Sequence, residues 1–113
     1  MSAVPVLDEA TFRGLQDTAG GDFVVELVET FLEDAPRMLR ELRQAHETGD
    51  AETFRRTAHS LKSNGLTFGV AAFAAQARAL ELGGLATAQG TALTAFEAEY
   101  ERAAAALKAL AHA

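Results

Sequence analysis

Several long stretches of this chain carry an apolar residue at every third or fourth position, which is the spacing of one face of an α-helix. The longest stretch runs from about Asp22 to His46, and another runs from Leu93 to Leu110. The sequence has no comparable run of alternating β-branched residues, which would indicate strands. The spacing therefore predicts an all-α fold.

Capping residues and glycines divide the chain into five predicted helices. Asp8 is the expected N-cap of a short first helix, and Asp50 is the expected N-cap of the third. The helices are expected at about 8–19, 22–46, 50–68, 70–82 and 93–110, with glycines at 20–21, 49, 69 and 83–84 between them. Proline removes a backbone donor and clashes with the preceding turn, so Pro36 predicts a kink or local break near Asp34.

Short connections between long helices imply that consecutive helices run antiparallel. We therefore expect an up-down antiparallel four-helix bundle with an additional short N-terminal helix packed over one end. Its core is expected to bury Phe31, Phe54, Phe73 and Phe96. The 113 residues are expected to form a single domain, residues 1–113, in which residues 1–7 are flexible. One bundle can bury its own apolar stripes, so we expect a monomer.

Composition excludes several classes of function. The formal net charge of −6 argues against nucleic acid and anionic lipid as partners. The chain has no cysteine, which excludes disulfides and thiolate sites and fits a cytoplasmic location. It has neither a leader-like N-terminus nor an apolar run long enough to insert into a membrane. Gly20-Gly21 and Gly83-Gly84 lack a Walker pattern, and His46 and His112 lack metal-pair spacing, so no intrinsic nucleotide, cofactor or metal site is expected.

A basic segment within the predicted third helix carries an exposed histidine. Phe54, Ala58, Leu61 and Gly65 recur at helical spacing and are expected to face inward, whereas His59 lies about 100° round the axis from that face. Its neighbours on the helix surface are three cations and one hydroxyl side chain: Arg55, Arg56, Lys62 and Ser63. Such a cluster is suited to an anion.

This segment resembles the signature of histidine-containing phosphotransfer domains, the HPt family, which reads roughly Ala-His-x-Leu-Lys-Gly with a further glycine near the helix end. Ala58, His59, Leu61, Lys62 and Gly69 match it, whereas Ser63 stands where the family has glycine. In helix order and spacing the resemblance covers about residues 20 to 110. It implies a phosphoryl carrier, not an autonomous enzyme.

The resemblance implies roles for the residues around the histidine. His59 would accept a phosphoryl group from a receiver aspartyl phosphate or a sensor histidine kinase and pass it to a response-regulator receiver, which would bring the Mg²⁺. Lys62, a mobile point charge one turn away, is placed to meet the phosphoryl oxygens. Glu81, twenty-two residues after His59, occupies the position where family members often carry a Glu or Gln, and it would orient the ring. Ser63 either contacts the phosphoryl group or is simply small enough to leave access to His59.

The expected partner-binding residues are Arg55, Arg56, Asn64, Gly65 and Gly69. Arg55 and Arg56 would assist the anion or steer an acidic receiver; an ordinary solvated face with Glu52 is an equal alternative. Asn64 and Gly65 are poor helix formers that keep the adjoining surface low, and Gly69 permits the turn.

Two other interpretations remain open at this point. In the first, the chain is a non-phosphorylated helical interaction module that binds receiver or kinase domains. The presence of both His59 and Lys62 argues against this interpretation. In the second, the chain is the substrate domain of a larger kinase. An ATP-binding domain encoded in the same gene would support this interpretation.

Overall fold

The computed structural model describes residues 5–88 and 90–112, and these residues form five helices. The helices are α1 (Glu9–Ala19), α2 (Gly21–Thr48), α3 (Ala51–Phe68), α4 (Ala71–Thr87) and α5 (Gly90–Ala111). No strand occurs among the described residues. The all-α prediction is confirmed, and the predicted helix boundaries hold to within a few residues except at the two ends of the α4–α5 connection.

Capping residues explain where the first and third helices begin. The Asp8 carboxylate accepts from the backbone N–H groups of Ala10 and Thr11 at 3.1 and 3.4 Å. The Asp50 carboxylate accepts from Thr53 N–H at 3.1 Å. These bonds satisfy backbone donors that have no partner inside the helix. Both predicted N-caps are therefore present.

A local break near Asp34 is absent, because α2 continues from Gly21 to Thr48 with Pro36 inside it, whereas the alternative of a kink stays a prediction. Proline has no N–H to bond the carbonyl four residues earlier, which belongs to Leu32. The Tyr100 hydroxyl on α5 lies 3.5 Å from that carbonyl and donates to it, although the contact is long. The buried tyrosine thus partly compensates for the bond that Pro36 cannot make.

The glycine pair near the end of α4 divides it into a long helical segment and a short one. Gly84 has φ 62° and ψ −157°, so the chain kinks there, and a short helical segment then continues to Thr87. The predicted end of the fourth helix at the glycine pair after Leu82 therefore agrees with the backbone, and the short helical segment up to Thr87 was not predicted. Glycine reaches such a conformation without the clash that a Cβ atom would cause.

Aromatic rings from four helices form the centre of the core. Phe73 of α4 stacks on Phe96 of α5 with ring centroids 4.7 Å apart, and Phe31 of α2 lies 5.5 Å from Phe68 of α3. The predicted core residues Phe31, Phe54, Phe73 and Phe96 are all buried. Because α2 contacts α3 and α5, and α4 contacts α3 and α5, the four long helices enclose this core together.

The segment before α1 crosses the turn between α3 and α4. The Asp8 N–H donates to the Gly69 carbonyl at 2.6 Å, and the Ala72 N–H donates to the Pro5 carbonyl at 3.1 Å. Leu7 also packs against the core. Residues 5–7 thus contact the rest of the fold at Pro5 and Leu7, residues 1–4 lie outside the described residues, and the flexibility of 1–7 stays a prediction.

Candidate functional site

The candidate site is centred on His59, on the outer face of α3. Its neighbours Ala58 and Leu61 are completely buried, whereas 53% of the His59 side chain is exposed. Because the buried residues recur at helical spacing, the core fixes the rotation of α3 and directs His59 outward. The predicted exposure of this histidine is confirmed.

Glu81 on α4 contacts one nitrogen of the His59 ring. Its Oε2 lies 2.8 Å from Nδ1, and the Glu81 side chain is only 14% exposed. An ionised carboxylate only accepts hydrogen bonds, so the proton of this contact belongs to Nδ1. The neutral ring therefore carries its lone pair on Nε2, which has no hydrogen-bond partner among the described residues.

Lys62 also contacts Glu81. Its Nζ lies 2.8 Å from Oε1, an otherwise unpartnered buried oxygen, and the Lys62 side chain is 21% exposed. Hydrogen bonding to Lys62, and secondarily to His59, lowers the pKa of the Glu81 carboxyl below its usual range. Glu81 is therefore ionised near neutral pH. Each of its two oxygens has a cationic or polar partner from α3.

The two arginines before the histidine are both exposed, but they differ in their contacts. Arg55 donates to Glu52 one turn away at 2.9 Å, and this hydrogen bond raises the pKa of the Arg55 guanidinium. Arg56 forms no ion pair with any described residue, so its guanidinium remains available at the surface beside His59. The ion pair with Glu52 is thus made by Arg55, Arg56 interacts with the Asp50 carboxylate without pairing with it, and the roles of both arginines stay predictions.

Ser63 and Asn64 lie one turn beyond His59. Ser63 is exposed, and its hydroxyl forms no hydrogen bond with the described residues. Asn64 is half-buried and lines a shallow groove between α2 and α3. The remaining residues of the groove are Leu27, Thr30, Phe31, Asp34, Thr67 and Phe68.

Gly65 and Gly69 are buried, so neither is available to a partner. A Cβ at Gly65 would lie 3.1 Å from Ala74 Cβ and from a Phe73 ring carbon, which means that this glycine lets α3 and α4 approach closely. A Cβ at Gly69 would lie 2.8 Å from the Asp8 carbonyl oxygen. Their prediction as partner-binding residues is corrected: both serve contacts inside the protein.

Two exposed leucines on α3 and α4 were not predicted from the sequence. Leu66 is 60% exposed and lies seven residues after His59, on the same face of α3, and Leu82 is 70% exposed and follows Glu81 on α4. The seven-residue spacing was the readable signal for Leu66. Leu82 is the next residue after Glu81, the residue of α4 that contacts His59.

Other kinds of site find no support in the described part of the chain. No group of three or more histidine or acidic side chains is arranged to hold a metal ion there. None of the described helices is long and apolar enough to cross a membrane.

The structure is thus a helical protein with an exposed histidine on α3. A carboxylate from α4 occupies one ring nitrogen of this histidine and leaves the other nitrogen accessible. The sequence matches the family model of the Hpt domain over residues 26–112. The structure is similar to the crystal structure of histidine-containing phosphotransfer protein B (HptB) from Pseudomonas aeruginosa PAO1, with a TM-score of 0.85, 27% sequence identity and 97% coverage of each chain. No curated protein matches this chain in sequence.

The chain therefore belongs to the Hpt domain family, and its function is histidine phosphotransfer in a phosphorelay. Members of this family are phosphoryl carriers and not enzymes in the usual sense, and they interact with receiver domains and kinases.

Proposed function

We propose that His59 is the phosphoryl acceptor and that Nε2 is the atom that reacts. The observation that carries this proposal is the 2.8 Å contact between Nδ1 and Glu81, which leaves the lone pair of the exposed ring on Nε2. The lone pair attacks phosphorus, the P–O bond to a receiver aspartate breaks, and its electron pair leaves on the carboxylate. Positioning and charge neutralisation carry most of such a transfer.

The partners in this proposal are receiver domains of response regulators and a sensor histidine kinase. The receiver brings its own Mg²⁺, and this chain needs no cofactor or nucleotide site of its own. We interpret α2–α5 as an up-down antiparallel four-helix bundle, with α1 as the additional short helix, and we propose that the chain acts as a cytoplasmic monomer. Arg56, Asn64 and Ser63 border the approach to His59, and we assign them to partner contact.

The test of this proposal is incubation of the chain with each radiolabelled phospho-receiver of the same genome. At least one receiver is expected to transfer its label to the chain within seconds to minutes, and the label is expected to pass on to a second receiver. If no cognate phospho-receiver or kinase labels the chain, the interaction-module alternative replaces this proposal. An ATP-binding domain in the same gene would make the chain the substrate domain of a kinase.

Lys62→Ala is expected to slow phosphoryl transfer by about tenfold or more, which corresponds to about 1.4 kcal/mol of barrier. The lysine supplies positive charge to the transferring group. Rapid-quench measurement of transfer from a phospho-receiver gives the rate, and circular dichroism checks the fold. Native transfer rates in the variant would remove Lys62 from the mechanism.

Ser63→Gly restores the residue that the HPt signature carries at this position and tests what the hydroxymethyl group does. Because Ser63 is exposed and its hydroxyl has no hydrogen-bond partner among the described residues, we expect an unchanged or faster transfer rate. Ser63→Ala is the matched control, since it removes only the hydroxyl. Slower transfer in both variants would instead assign the hydroxyl a contact with the phosphoryl group.

A further inference from the structure

The two nitrogens of the His59 ring face different sides of α3. Nδ1 contacts Glu81 Oε2 at 2.8 Å, so Nδ1 points toward α4. The nitrogens of an imidazole are two positions apart in a five-membered ring, and they point in nearly opposite directions. Nε2 therefore points away from α4, toward the side of α3 that lies across the ring from Glu81.

Two of the cations of α3 lie on the same side of His59 as α4. At about 100° per residue, Lys62 and Arg55 are about 60° and about 40° from His59 in one direction round the helix axis. Glu81 Oε1 contacts Lys62 Nζ at 2.8 Å, which identifies this direction as the α4 side. The pKa of Arg55, raised mainly by its hydrogen bond to Glu52, is also raised by the charge of Glu81. Both cations are therefore on the Nδ1 side of the ring.

Arg56 lies on the other side of His59. It is three residues before the histidine, about 60° round the axis in the direction opposite to Lys62. Its side chain is exposed and forms no ion pair with a described residue. The Asp50 carboxyl, whose pKa is lowered mainly by hydrogen bonds with Thr53, is also lowered by the charge of Arg56. Among the cations of α3, Arg56 is thus the one that shares a side with Nε2.

We propose that Arg56 binds the phosphoryl group on His59 Nε2 and neutralises its charge. This assignment rests on the proposed role of His59 as the acceptor, and it adds contact with the transferred group to the partner contact of Arg56. Side chains on a helix lean toward its N-terminus, so the His59 ring extends over the turn that carries Arg56. The Cβ atoms of residues three apart are separated by about 5–6 Å, which is within reach of a guanidinium. A guanidinium donates two parallel hydrogen bonds to phosphoryl oxygens.

The other cations near the ring are less well placed for this contact. Lys62 is held by Glu81 on the Nδ1 side, and Arg55 is bonded to a carboxylate of its own helix at 2.9 Å. On α4, Arg78 is exposed one turn before Glu81, so it also belongs to the α4 side. Lys62 thus contributes its charge from across the ring, whereas Arg56 meets the phosphoryl group directly.

The first test measures the pKa of the phosphoryl group in the phosphorylated chain by ³¹P NMR. Phosphoramidate serves as the donor: Nε2 attacks phosphorus, ammonia leaves with the electron pair of the broken P–N bond, and the Nδ1 proton stays on the ring. A guanidinium in contact favours the dianion, so Arg56→Gln is expected to raise the phosphoryl pKa by about 0.5–1 unit. Arg56→Lys keeps the charge and is expected to stay within about 0.3 unit of the native value.

Arg55→Gln is the matched control, because Arg55 is the neighbouring residue and is also an exposed arginine, but lies on the Nδ1 side. Its expected shift is at most about 0.3 unit, because solvent screens a charge that is not in contact. Glutamine is a good helix former, and circular dichroism checks that both variants keep the native helix content. Equal shifts for the two glutamine variants would overturn the assignment of Arg56.

A rate measurement separates contact with the phosphoryl group from contact with a receiver. Phosphoramidate has no protein surface, so a residue that only docks a receiver does not change its reaction. Arg56→Gln is expected to slow labelling by phosphoramidate about three- to tenfold, and to slow transfer from a phospho-receiver by at least the same factor. Slower transfer from the receiver alone would assign Arg56 to docking and contradict the proposal.

The native chain distinguishes failure of this proposal from failure of the proposed function. A native chain that takes no label at His59 from phosphoramidate or from any cognate receiver would refute the acceptor role, and the assignment of Arg56 would fall with it. A native chain that is labelled at His59, with an Arg56→Gln variant that matches it in rate and in phosphoryl pKa, would refute the assignment of Arg56 alone.

Discussion

His59→Gln is expected to lose all phosphoryl label while keeping the native helix content. Glutamine is close in size but has no nucleophilic nitrogen. Because 53% of the His59 side chain is exposed and its contacts are polar, the change in unfolding free energy should stay within about 0.5 kcal/mol. The native adduct should be labile in acid and stable in alkali, as expected for a phosphorus–nitrogen bond. Gel autoradiography after incubation with a phospho-receiver measures the label.

His112→Gln is the matched control for this experiment. His112 is also exposed, but it lies at the end of α5 without a carboxylate contact among the described residues. The His112→Gln variant should be labelled to the same stoichiometry as the native chain. Labelling of His59→Gln at native stoichiometry would show that the acceptor is another residue.

The helix pattern was readable from the sequence because the signals were local. Apolar spacing and the aspartates at 8 and 50 placed α1 and α3 to within a residue or two. The continuity of α2 through Pro36 could not be predicted locally, because the hydroxyl that contacts the free Leu32 carbonyl belongs to Tyr100, sixty-four residues after the proline. The glycine pair at 83–84 was a correct local signal, because the backbone leaves the helical conformation at Gly84.

Only part of the site could be predicted from the sequence, because some of its contacts join residues that are distant in the sequence. The outward direction of His59 followed from the helical spacing of Ala58 and Leu61. The contact of Lys62 with Glu81 depends on the register of α3 against α4, which no local pattern gives. That register in turn needs Gly65, where the absence of a Cβ lets Phe73 and Ala74 approach. A glycine that the sequence offered as binding surface is thus part of what brings the carboxylate to the histidine.

Gly69→Ala is expected to destabilise the fold by about 2–4 kcal/mol, for two separable reasons. Gly69 has φ +78°, where an L side chain costs about 1–2 kcal/mol. Its Cβ would also lie 2.8 Å from the Asp8 carbonyl oxygen and 2.9 Å from Thr11 Cβ, so the segment that leads into α1 must move away from the α3–α4 turn. Denaturation by urea, followed by circular dichroism, measures the loss.

Gly49→Ala separates the two reasons, because Gly49 has nearly the same backbone, with φ +73°, and open space around its Cβ position. This control should lose only the conformational cost of about 1–2 kcal/mol. The excess loss in Gly69→Ala then measures the seating of the N-terminal segment on the turn. Equal losses would mean that this contact contributes nothing to stability. If Gly69→Ala instead kept its stability but lost phosphotransfer, Gly69 would again be assigned to partner binding. The contact with the N-terminal segment would then not be the reason for a glycine at this position.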